Sequence, residues 1–140
     1  MKPVLLALMF LSEEHIAQMA QTFEVIYAPD APQAATAIAQ HGSRVRVVLT
    51  IGAVGLSPAQ IDALPALTLI CALGAGYENV AVAHAKARGI VVATGAGTND
   101  DCVADHTWGL LIAAQRRILP LDKATPVSYT HLRAHETSLH

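Results

Sequence analysis

The stretch LTLICALGAGYENV, Leu67 to Val80, decides how this chain is read. Leu67 to Ala72 is an apolar run of strand length, and Gly74 and Gly76 follow at its mouth. A helical pattern then begins at Asn79. A strand that passes through glycines into a helix is the repeating unit of a parallel α/β sheet. Without bulky side chains, such a turn also leaves consecutive backbone N–H groups open to an anion. The stretch therefore predicts both a fold and a binding site, and leaves open which anion the site takes.

The same unit recurs on either side. Pro3 to Met9 is a continuous apolar run, as expected of a strand covered on both faces. Ser12, Glu13 and Glu14 open a helix whose Ile16, Met19, Ala20 and Phe23 share one face. Glu24 to Ala28 reads as a second strand. Asp30 caps an alanine-rich helix running to Gln40 and closed by Gly42. Arg46 to Ile51 reads as a third strand, and Ser57-Pro58 starts a short helix. Beyond the opening stretch, a helix from Asn79 to Arg88 ends at Gly89, and Ile90 to Ala93 is a fifth strand. Asn99 caps a long helix to about Leu119, where Arg116 and Arg117 suit the negative pole. This alternation predicts an α/β fold, a parallel sheet wound on both sides. It places LGAGYENV and TGAGTNDD (Thr94 to Asp101) at carboxyl ends of strands, where such sheets bind ligands.

Composition narrows the function classes. The chain has 140 residues, 53% hydrophobic and 14% charged, with net charge −2 and a pI near 6.3. That suits one soluble domain and no nucleic-acid partner. Lys2 followed by VLLALMFL falls far below the roughly 18 apolar residues of a membrane span and lacks a small-x-small cleavage site. A first strand is expected there, with no membrane association. Cys71 and Cys102 are far apart in sequence and read as reduced thiols of a cytoplasmic protein. The segment PVSYTHLRAHETSLH, 126–140, has no apolar period and the wording of a stray translated tail. It is set aside as non-native, leaving 1–125 as the domain. His131 and His135 within it have i, i+4 spacing, but no Glu-x-x-His or cysteine context supports a metal site.

A dinucleotide pyrophosphate needs G-x-G-x-x-G, whose third glycine lets helix and strand pack closely. Asn79 and Asp100 occupy that third position in the two turns. A small carboxylate fits such a turn better, while glycines that merely permit a tight turn give the same pattern. The residues alone leave these two readings open.

The segment LGAGYENVAVAHAKARGIVVATGAGTNDDCVADHTWGLLIAAQRRI, Leu73 to Ile118, resembles the D-isomer-specific 2-hydroxyacid dehydrogenases. That family carries G-x-G-[YF]-[DE]-N-[IV], then A-x-x-x-G-[IV]-x-V, then V-A-[DE]-x-[TA] on a helix. Glyoxylate and hydroxypyruvate reductases are its nearest members by this pattern. The resemblance implies a flavodoxin-like substrate domain, cut before a Rossmann cofactor domain and lacking one closing helix. It implies NAD or NADP as cofactor, a small 2-oxo or 2-hydroxy acid as substrate, and a homodimer. By motif, the substrate carboxylate lies on Gly74, Ala75 and Gly76, with Leu73 lining the pocket; Val103 and Thr107 face the nicotinamide.

The resemblance also implies an absence. The family's proton-donating histidine, its orienting carboxylate and its carbonyl-polarising arginine belong to the cofactor domain, so no catalytic residue is expected in this chain. His84 is expected to face solvent and His106 to pack beside Trp108 or touch a partner domain. Glu78 is expected to support the start of the following helix. The long helix is apolar nearly all round: Val103, Thr107, Leu110 and Ala114 form one stripe, Trp108, Leu111, Ile112 and Leu119 another. An exposed apolar patch and self-association are expected from it. Two rivals remain: a stand-alone flavodoxin-like module that binds a small carboxylate, and a flavin or nucleotide carrier.

Overall fold

In a computed structural model of the chain, residues 1–125 are described. The apolar run near the start becomes β1, Val4–Ala7, with all four residues buried. It lies between β2 (Glu24–Tyr27) and β3 (Val45–Ile51), and β4 (Leu69–Leu73) and β5 (Val91–Thr94) follow β3 outward. Every pairing is parallel, in the order β2-β1-β3-β4-β5. The right-handed rule for parallel crossovers sends α1 (Glu13–Ala20) to one face. It sends α2 (Ala31–His41), α3 (Pro58–Asp62) and α4 (Val82–Ala87) to the other. The reversal of strand order thus falls between β1 and β3, whereas the two glycine turns follow β4 and β5.

The core lies on the face shared by α2, α3 and α4. Leu6, Val48 and Ile70 from the sheet and Leu56, Ile61, Leu64 and Ala85 from the helix side are fully buried. The opposite face is less covered: Leu49, Leu69 and Cys71 are half-buried and Val91 is exposed.

The caps form where short polar side chains precede a helix. Ser12 accepts from the His15 amide and Asp30 from the Gln33 amide at 2.8 Å. Ser57 and Gln60 close a reciprocal box around Pro58. Several boundaries differ from expectation. Gly42 keeps a right-handed conformation and leads into a single 3₁₀ turn over 42–44, so it is not a left-handed cap. Asn79, Val80 and Ala81 stay outside α4, because their backbone groups bond elsewhere. Glu78 is therefore not in the first turn of that helix. The long helix is two helices, α5 (Asp100–Gln115) and α6 (Ile118–Ala124). Arg117, at φ 53°, makes the break between them. Asn99 precedes α5 without a side-chain cap; Asp100 and Asp101 supply the negative charge at its first turn.

Two units divide the chain at Asn99. The first, Met1–Thr98, holds the sheet, and α5 and α6 belong to the second. Within the second, α5 and α6 have no buried residue. Among the described residues no helix is long and apolar enough to cross a membrane, and no His/Cys/Asp/Glu cluster suits a metal ion. The 126–140 stretch, with His131 and His135, lies outside the described residues.

Candidate functional site

β4 runs one residue further than its apolar pattern suggested and delivers the chain to Gly74 at the carboxyl edge of the sheet. Gly74 has φ +90° and a Cβ there would meet nothing, so glycine serves conformation at this point. Its carbonyl accepts from the Gly95 amide of the next strand's turn at 2.7 Å. The Ala75 and Gly76 amides donate to no acceptor among the described residues. Two adjacent donors, exposed and without an acceptor among the described residues, are of the kind that can receive a small anion.

A depression of about 240 Å³ adjoins the turn, lined by Leu49, Cys71, Leu73, Gly74, Thr94 and Gly95 among others. Leu73 and Gly74 thus face this space; Ala75 and Gly76 do not line it. Leu73 is more than half exposed and offers an apolar wall. Burial pushes the Cys71 thiol above its ordinary range, which keeps it protonated and unreactive at neutral pH. The size suits an acid of a few carbon atoms.

The loop after β3 supports the turn, a feature the sequence reading missed. The Asn79 amide donates to the Gly52 carbonyl (3.3 Å), the Leu56 amide to the Asn79 carbonyl (3.1 Å), and the Asn79 Nδ2 to the Ala53 carbonyl (3.0 Å). Buried Thr50 anchors this loop from below, donating to the Gly55 carbonyl at 2.9 Å. Glycine at 52 and 55 permits the approach. A Cβ on Gly52 would stand 2.7 Å from the Gly76 carbonyl carbon, and one on Gly55 would overlap the Asn79 backbone. The Glu78 carboxylate lies in the same gap, 2.7 Å from where a Gly76 Cβ would be. Glu78 thus packs against the turn instead of serving the helix. The signal for this loop was the run TIGAVG, Thr50 to Gly55, a second glycine pair directly after a strand.

Residues 5–137 match the sequence model of the D-isomer specific 2-hydroxyacid dehydrogenase catalytic domain. The chain belongs to this family. A glyoxylate reductase of Korarchaeum cryptofilum is 25% identical over 124 residues, which make up 88% of this chain and 37% of that protein. The solved 2-hydroxyacid dehydrogenase of Ketogulonicigenium vulgare superposes with a TM-score of 0.81 at 30% identity, covering 89% of this chain and 39% of that one. An NADPH-dependent glyoxylate/hydroxypyruvate reductase of Sinorhizobium meliloti, solved with NADP and malonate, gives 0.73 at 27% identity, covering 88% and 37%. The chain spans well under half the length of these relatives.

The two residues assigned to the nicotinamide lie on α5 in the second unit, where the Thr107 hydroxyl donates to the Val103 carbonyl at 2.7 Å. Among the described residues there is one His–carboxylate ion pair, His84 Nε2 to Asp62 Oδ1 at 2.8 Å. It joins α4 to α3, with Arg88 donating to the Ile61 carbonyl beside it. Neither His84 nor Asp62 lines the depression. His84 is thus partly exposed and also paired, clipping α4 to α3. His106 is exposed on α5.

Proposed function

We propose that the chain is the substrate-holding part of an NAD(P)-dependent oxidoreductase that reduces a small 2-oxo acid of the glyoxylate or hydroxypyruvate type. The observation that carries this reading is the pair of unengaged amides at Ala75 and Gly76 beside an apolar depression. Each hydrogen bond from such a donor to a carboxylate contributes roughly 1.5–3 kcal/mol. Two contribute about 3–6 kcal/mol before the cost of association, so binding of millimolar strength needs the apolar contact with Leu73 as well. The malonate of the Sinorhizobium relative, a small dicarboxylate, is a ligand of the same chemical class. The match to a dehydrogenase catalytic domain sets this reading above a free-standing carboxylate-binding module.

The residues present do not fit a dinucleotide by themselves. Both glycine turns lack the third glycine, and Val103 and Thr107 offer only an apolar contact and a hydroxyl. Hydride transfer and protonation are therefore assigned to the remainder of the parent enzyme, which we take to be a homodimer. A cytoplasmic setting suits two free cysteines.

The test is titration of the ¹⁵N-labelled chain with glyoxylate, and with glycolaldehyde as the analogue that lacks a carboxylate. Glyoxylate is expected to shift the Ala75 and Gly76 amide resonances with a midpoint in the millimolar range, and glycolaldehyde to leave them in place. With NADPH and glyoxylate together, the 140-residue chain is expected to oxidise no cofactor. Equal shifts with both compounds, or none with either, overturn the carboxylate assignment.

A further inference from the structure

We propose that Asn79 is the positioning residue of the carboxylate-binding turn, setting the direction of the Ala75 and Gly76 amides through its bonds to the loop after β3. The inference rests on the carboxylate reading above and adds a role to it. Nothing within the turn fixes those two amides, since neither has an acceptor among the described residues. Their direction must come from the two ends of the turn. One end is Gly74, whose carbonyl accepts from Gly95. The other is Asn79, which bonds three consecutive sections of one loop at Gly52, Ala53 and Leu56.

That loop is a fixed platform. The Val54 and Gly55 amides both donate to the Ile51 carbonyl, at 3.1 and 2.8 Å. Thr50 holds the Gly55 carbonyl from inside the core, and Leu56 is fully buried. Parallel bridging of Leu56 with Val80 continues the attachment past Asn79. A residue tied at three points to such a platform cannot rotate without breaking several bonds at once. The chain from 75 to 78 is then anchored at both ends. Ordering of the donors occurs on folding and is not charged against ligand binding, which is how preorganisation raises affinity.

The side chain required is narrow. The backbone N–H and C=O at 79 are already used, so the third bond needs a side-chain donor two carbons beyond Cα. Aspartate has the same shape but turns an acceptor toward the Ala53 carbonyl. Alanine removes the bond.

The experiment compares the wild-type chain with Asn79→Ala, Asn79→Asp and His84→Ala. The last removes the His84–Asp62 bond between α4 and α3, away from the turn, and controls for general loss of stability. Glyoxylate affinity and the ¹⁵N order parameters of Ala75 and Gly76 are read for each. Both Asn79 variants are expected to bind glyoxylate about tenfold or more weakly and to show increased motion at Ala75 and Gly76. His84→Ala is expected to match wild type in both readouts. Should Asn79→Ala fail to fold, the near-isosteric Asn79→Asp decides. Wild-type affinity and wild-type order in an Asn79 variant overturn the role of Asn79. So does a loss in His84→Ala as large as in the Asn79 variants. A wild-type chain whose amides ignore glyoxylate is a different result, and overturns the carboxylate reading itself.

Discussion

Gly55 shows how little room the supporting loop leaves. Its φ of +69° is one an L side chain adopts only with strain, and a Cβ would run into the Asn79 backbone. Left-handed strain costs about 1–2 kcal/mol and overpacking about 1–3 kcal/mol, so Gly55→Ala is expected to lose roughly 2–5 kcal/mol. The urea midpoint measures it, and an unchanged midpoint would show that the two loops are free to separate. Gly74→Ala makes the contrast: it has the positive φ without the collision, so the strain alone should appear. At this scale the sequence was legible wherever the cause is local. Ser12, Asp30 and Ser57 cap helices because each sits three residues before the amide it receives. The Asn79 clamp was not legible, since its partners lie 26 or so residues earlier and no local pattern joins them.

Elements followed their apolar runs, and departures arose where long-range bonds compete for the same backbone. The helix expected from Asn79 starts at Val82 because residues 79–81 are spent on the β3 loop. The break between α5 and α6 falls at Arg116 and Arg117, just ahead of Pro120, which has no N–H for the Arg116 carbonyl and would crowd it in a continuous helix. Between elements, one ion pair is open to test. Arg44, in the turn before β3, grips Glu24 at the start of β2 with two hydrogen bonds, of 3.2 and 2.9 Å. The pair spans the first residue of β1, since β2 and β3 both flank that strand. The Arg44 hydrogen bond holds the Glu24 carboxyl below the usual carboxylate range; desolvation opposes it, and the charges of Arg44 and His41 add to it. A carboxyl lowered in the folded state stabilises it at pH values above the ordinary carboxylate range. That contribution fades as pH falls through the range toward the lowered value. Both side chains are about half exposed, so the effect is small and salt-sensitive. Arg44→Met is expected to flatten part of the decline in urea midpoint between pH 5 and pH 3. Parallel curves for the two proteins would remove the pair from any account of acid stability.

For the molecule as a whole, the uncovered surface is the property with the largest consequence. Trp108 is 64% exposed, Leu110 59%, Leu111 58% and Leu119 68%, and α5 has no buried residue. That much was readable from a helix apolar on two stripes. Which surface covers it was not, because the sequence of one element carries no record of its partner. Fully burying a leucine or similar side chain is worth about 1.5–3 kcal/mol. Four or five such groups exceed the lower estimates of the cost of bringing two chains together. A second copy of the chain offers the same stripe and is always present at the working concentration. Sedimentation velocity is therefore expected to show mass rising above 14.7 kDa with concentration, together with binding of a hydrophobic dye. Leu111→Glu places a charge in the middle of the second stripe, where burial would strip it of water. It is expected to shift the association midpoint upward at least tenfold while leaving the Ala75 and Gly76 resonances in place. A wild-type chain that sediments as a single 14.7 kDa species at the highest concentration reached, and binds no dye, would mean that the α5 stripe is covered within one chain.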